Sequence, residues 1–139
     1  MFNKIKCFKW NENGIKLIKE GKYEEAIEFF DKILKINQKH KWAWYNKGLA
    51  LLNLGRHDEA LEYFDKALKI DPEDVDALNN KGRSLSGLRK PEEAIKYHKK
   101  ALKIDPNNKG AAAGMGIAFT AMEKPEEAMK WYEKFMMDK

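Results

Sequence analysis

Glycine recurs in this chain at a fixed interval: Gly14, Gly48, Gly82 and Gly116 are each 34 residues apart. Ala26, Ala60, Ala94 and Ala128 keep the same spacing, as do the acidic pairs Glu24-Glu25, Asp58-Glu59, Glu92-Glu93 and Glu126-Glu127. A period of this length marks an array in which one small unit stacks on the next. It divides the chain into repeats 7–40, 41–74, 75–108 and 109–139, the last of them three residues short. Positions within a repeat are numbered 1–34 below, which puts each glycine at position 8.

Each repeat reads as two helices, A and B. In repeat two the pattern predicts helix A over 42–54, a break at Gly55, and helix B over 58–70. Acidic residues open helix B and Lys66 and Lys69 close it, in the order the helix dipole favours. Asp71-Pro72 then stops it, as Asp105-Pro106 does in repeat three. Pro91 and Pro125 stand where later B helices begin, a position that tolerates the missing N–H. No strand-like alternation of useful length appears, so the expected class is all-α, in a single domain spanning 1–139.

Helices of ~13 residues are marginal alone, and a mid-helix glycine costs about 1 kcal/mol relative to alanine. Close packing must offset both. Glycine at position 8 and alanine at position 20 have almost no side chain, so two helices can approach there.

Composition removes several alternatives. Cys7 is the only cysteine, so there is no disulfide framework, and a reducing, cytoplasmic setting is expected. MFNKIKCFKW lacks the apolar run of a signal peptide, and no stretch approaches the ~20 apolar residues of a membrane span. The net charge is +5, yet only Arg56, Arg83 and Arg89 are arginines. Phosphate-reading surfaces favour arginine, so nucleic acid is not the expected partner. No nucleophile, acid–base pair, phosphate-cradling loop or metal-ligand cluster is visible, and neither catalysis nor a cofactor is expected. His40, His57 and His98 are scattered, and His98 takes the place of Phe30, Phe64 and Tyr132 at position 24 as a packed ring.

The period, with the pattern Trp44, Gly48, Leu51, Gly55, Ala60, Phe64, Ala67 and Pro72, resembles the tetratricopeptide repeat over residues 7–139. The resemblance implies antiparallel helix pairs stacked as a right-handed superhelix, an α-solenoid. It also implies that the A helices line a groove that takes a partner's extended peptide or helix. Groove-facing positions would then be 2, 5, 6, 9, 12 and 13. On that reading Asn11, Ile15, Trp42, Tyr45, Asn46, Leu49, Asn79, Asn80 and Arg83 are the candidate contacts. Ile15, Trp42, Tyr45 and Leu49 would be apolar anchors, Asn46 and Asn80 would hold a peptide backbone, and Arg83 would read an acidic group. Trp44 falls on the opposite face, towards helix B, as Trp10 does one repeat earlier.

Family members that bind chaperone tails use a carboxylate clamp of basic and amide residues. Aligned from repeat one, the clamp positions here hold Asn11, Ile15, Asn46, Asp76 and Asn80. Aligned from repeat two, they hold Tyr45, Leu49, Asn80, Gly110 and Gly114. Only the middle asparagine matches in either register, so the expected ligand carries apolar side chains and is not an acidic chaperone C-terminus.

Repeat four is unusual. Met115, Met122, Met129 and Met136 gather there, and Phe135 replaces the alanine of repeats two and three at position 27. These five residues are a candidate oligomer interface, and the alternative reading of the chain is a self-assembling adaptor.

Overall fold

The computed structural model describes residues 2–137. Eight α-helices follow one another: α1 (Phe2–Lys19), α2 (Tyr23–Ile36), α3 (Lys41–Asn53), α4 (His57–Ile70), α5 (Val75–Gly87), α6 (Pro91–Ile104), α7 (Lys109–Ala121) and α8 (Pro125–Met137). No strand occurs among the described residues. The chain divides into two compact halves, Met1–Pro72 and Glu73–Lys139, each holding two helical hairpins. In the first half α1 packs on α2, α2 on α3 and α3 on α4, and α1 also reaches α3. The second half repeats the plan, with α5 reaching α7. Helix α1 starts five residues before the first repeat, so Phe2–Lys6 extend it beyond the periodic pattern.

The position-8 glycines each receive a ring from their own B helix. A Cβ on Gly14 would sit 2.5 Å from Phe30, and one on Gly48 would sit 2.8 Å from Phe64. In the second half the corresponding distances are 2.6 Å for Gly82 to His98 and 2.6 Å for Gly116 to Tyr132. No side chain fits at these points unless the ring moves. Phe30, Phe64 and His98 are fully buried. Burying a phenylalanine contributes roughly 1.5–3 kcal/mol, so each such ring offsets the glycine it requires. Around them, Ala26, Ala60, Ala94 and Ala101 are also fully buried and let the helices close.

The turns between A and B helices share one geometry. Lys22 N donates to Leu17 O at 2.8 Å, Arg56 N to Leu51 O at 2.9 Å, Lys90 N to Leu85 O at 2.9 Å and Lys124 N to Phe119 O at 2.9 Å. This six-to-one bond ends a helix through a residue in the left-handed region. Gly21 (φ 77°) and Gly55 (φ 78°) supply that residue in the first half, but Arg89 (φ 62°) and Glu123 (φ 58°) do so in the second.

The A helices after the first are capped at repeat position 34, each time by a different residue. His40 Nδ1 accepts from Ala43 N at 3.1 Å, Asp74 Oδ1 from Ala77 N at 3.1 Å, and Asn108 Oδ1 from Ala111 N at 2.8 Å. Lysines of the B helices meet aromatic rings: Lys32 stands over Trp10 and Phe29, and Lys66 over Trp44. Asp31 takes Lys47 of α3 at 2.6 Å.

Candidate functional site

In the first half α1, the end of α2 and the start of α3 enclose a concave cleft of about 740 Å³. Four of the residues expected at the groove meet there: Asn11 and Ile15 from α1, Trp42 and Asn46 from α3. Phe8, at the same repeat position as Trp42, joins them. Trp42 is 48% exposed, and its ring is held from two sides. Lys41 Nζ lies 4.4 Å from its centroid, and Tyr45 meets it edge-on at 6.1 Å. A large apolar surface is therefore presented in a fixed pose.

Tyr45 and Leu49 are placed differently. Both are half-buried against the cluster of Leu51, Leu52 and Phe64, and Tyr45 lies 5.8 Å from the Phe64 ring. Trp44 does turn to helix B, where it stacks on Tyr63 at 5.6 Å. Its indole N–H donates to Gln38 O at 2.7 Å, which ties the 37–40 loop to α3. The aromatic triplet of α3 thus separates into an exposed ring, a half-buried ring and a packed ring.

The asparagines are more inward than their spacing suggests. Asn46 is only 5% exposed, and its Nδ2 donates to Asn11 Oδ1 at 2.9 Å. That bond joins α1 to α3 beneath the cleft. In the second half Asn79 Oδ1 meets His98 Nδ1 at 2.8 Å, and buried Asn80 accepts from Arg83 at 2.9 Å. Arg83 itself is exposed.

Several residues of the cleft were not expected from the repeat pattern. Asn3 and Lys4 lie in the extension of α1. Ile36 does carry a signal, since Ile36, Ile70 and Ile104 recur at position 30 and all stay exposed. Cys7 is buried in the cleft wall, and His40 lines it while capping α3. Burial pushes the His40 imidazole below its ordinary value. Among the described residues the lining holds no carboxylate, so Lys4 is its one charged side chain at neutral pH.

Repeat four requires a correction. Met115 is 0% exposed, so it packs inside the second half and is not part of an outward interface. It sits on α7 among Ala111, Ala112 and Ala118, all buried. Met122 is half-buried. Met129 (59% exposed), Phe135 and Met136 (71% exposed) do stand outward on α8.

Tetratricopeptide repeat models match residues 42–74, 75–108 and 17–40. The chain belongs to the tetratricopeptide repeat family. MamA from Desulfovibrio magneticus RS-1 is similar at 27% identity and a TM-score of 0.84, over 94% of this chain and 73% of that one. TTC0263, a thermophilic protein of Thermus thermophilus, shares the fold at 19% identity and a TM-score of 0.88, over 96% of this chain and 74% of that one. The second such domain of human RPAP3, solved with the HSP70 peptide SGPTIEEVD, shares it at 24% identity and a TM-score of 0.79, over 84% of this chain and 97% of that one. A search of curated proteins returns no match. The chain is an all-α helical-repeat solenoid, and its class is that of non-enzymatic protein-interaction modules. No helix among the described residues is long and apolar enough to cross a membrane.

Proposed function

We propose that the cleft of the first half seats apolar side chains of a partner's peptide segment. The observation that carries this reading is the convergence of Phe8, Ile15 and Trp42 with the amides of Asn11 and Asn46 around one concave space. Trp42 and Phe8 act as anchors, since exposed aromatic rings dominate binding energy at such surfaces. Asn46 keeps Asn11 in position and offers its remaining carbonyl lone pairs to a peptide N–H. Because Trp42 is held by Lys41 and Tyr45, little ordering entropy is lost when a ligand arrives. We read repeats 7–40, 41–74, 75–108 and 109–139 as parts of one domain; within the second half Asn79, Asn80 and Arg83 offer polar contacts of their own.

The test compares wild type with Trp42→Ala as baits at equal loading. A direct partner should be retained by the first and lost from the second. With the purified partner, affinity should drop about thirtyfold. Unchanged affinity at equal folding would remove the cleft from the interaction. An acidic chaperone tail lacks its clamp here, so titration with SGPTIEEVD should give no saturable heat in the micromolar range.

A second reading rests on α8, where Met129, Phe135 and Met136 expose apolar surface. We propose that a second copy covers it. Sedimentation should then show concentration-dependent dimers that Phe135→Ala weakens and Trp42→Ala spares.

A further inference from the structure

Three helices carry the same cap at the same repeat position, and only one of the caps is an imidazole nitrogen, with a single lone pair to give. Asn108 caps through an amide oxygen and Asp74 through a carboxylate oxygen, and each has lone pairs to spare. His40 is different. Its Nδ1 accepts from the Ala43 amide at 3.1 Å, and an amide N–H can only donate. The neutral ring must therefore carry its proton on Nε2, and the next proton goes to the capping atom itself. Once there, an imidazolium N–H points at a backbone N–H, at the positive end of the α3 dipole.

We propose that His40 is a proton-operated cap that regulates the cleft, releasing the first turn of α3, and Trp42 with it, when the imidazole takes its second proton. The word regulates rests on the peptide-cleft reading above; the structural event does not. Geometry supports the coupling. His40 and Trp42 line the same cleft, two residues apart, and Trp42 belongs to the turn that the cap closes. The other charged or titratable groups around His40 are Lys4 and Cys7 of α1, its neighbours Lys39 and Lys41, and Asp71 just past the end of α4, which holds Lys41 at 3.2 Å. Lys4, Lys39 and Lys41 all oppose a further positive charge, and Asp71 is engaged with Lys41. Burial acts in the same direction and lowers the His40 pKa. The Ala43 amide keeps a second acceptor in His40 O at 3.2 Å, so the turn loosens without the helix dissolving.

The experiment is an NMR titration of the whole chain from pH 7.5 to 4.5, with no ligand present. It follows amide exchange at Ala43 and Trp44, the two amides that donate to His40, and the indole N–H of Trp42. The reference is His40→Asn, which keeps a cap that cannot titrate and shares every other response of the chain to acid. Protection at Ala43 and Trp44, corrected for intrinsic exchange, should fall about fivefold further in the wild type than in His40→Asn, the factor that a lost cap represents. The Trp42 indole should move with the same midpoint in the wild type only. The proposal is overturned if His40→Asn loses as much protection as the wild type, or if the cap titrates while the Trp42 indole stays still. Should the cleft bind no peptide at all, these readouts are unaffected, so the two readings fail separately.

Discussion

The two halves follow one plan with different residues at its tightest points. In the first, Phe30 and Phe64 fill the space above Gly14 and Gly48, and Gly21 and Gly55 take the left-handed turns. In the second, His98 and Tyr132 replace the phenylalanines, and Arg89 and Glu123 replace the turn glycines. His98 Nε2 is buried with no hydrogen-bond partner, a condition that costs about 1–3 kcal/mol. A non-glycine residue in the left-handed region costs roughly 1–2 kcal/mol. The backbone plan tolerates substitution at its key points, but at a local loss of stability at His98, Arg89 and Glu123.

The largest way to break the contrast is to damage the stronger half. Phe64→Ala should destabilise the first half by about 3–5 kcal/mol in denaturant unfolding, by leaving a cavity above Gly48. Acid should next expose the weaker half. His98 is held down to about 4, first by burial and then by the charge of Arg83. The unfolded chain takes this proton near pH 6.5 and the folded chain only near 4. Stability is therefore full above pH 6.5 and falls as pH drops through that window, by on the order of 3 kcal/mol at its lower end. His98→Phe should remove that slope in unfolding measured at about pH 7 and about pH 4.5. A steep slope that survives His98→Phe would place the acid sensitivity elsewhere.

Smaller changes sharpen the comparison. Arg89→Gly should restore the turn of the first half and raise stability by about 1 kcal/mol, whereas Gly55→Arg should lower it by a similar amount. Trp42→Ala, at an exposed site, should change the denaturant midpoint by less than about 0.5 kcal/mol equivalent while weakening a cleft ligand.

Periodicity made most of the fold legible. Position 8, position 20 and the prolines placed the helices after the first to within a few residues, because the packing that demands them recurs in every copy. The split of Trp44 from Trp42 was also readable, since helical spacing alone separates their faces. Features that break the period were not readable. The extension Phe2–Lys6 has no counterpart in the other repeats, so Asn3 and Lys4 were not expected in the cleft. The inward turn of Asn46 depends on Asn11 from another helix, a pairing that no single-helix pattern contains. Met115 fell on the wrong side of the prediction because methionine at position 7 replaces asparagine and lysine. A change to an apolar residue reads equally well as exposure for a partner or as new core.

Each ring and its glycine are 16 residues apart, as Phe30 is from Gly14 and Tyr132 from Gly116. The contact that does most to hold a repeat therefore lies inside one helical hairpin, and a short loop closure is enough to make it. Chains dominated by such local contacts fold fast, and stacked repeats can begin from any one of their members. With phenylalanine in the first two hairpins, histidine in the third and tyrosine in the fourth, each hairpin carries its own ring contact and need not wait for its neighbours to make it.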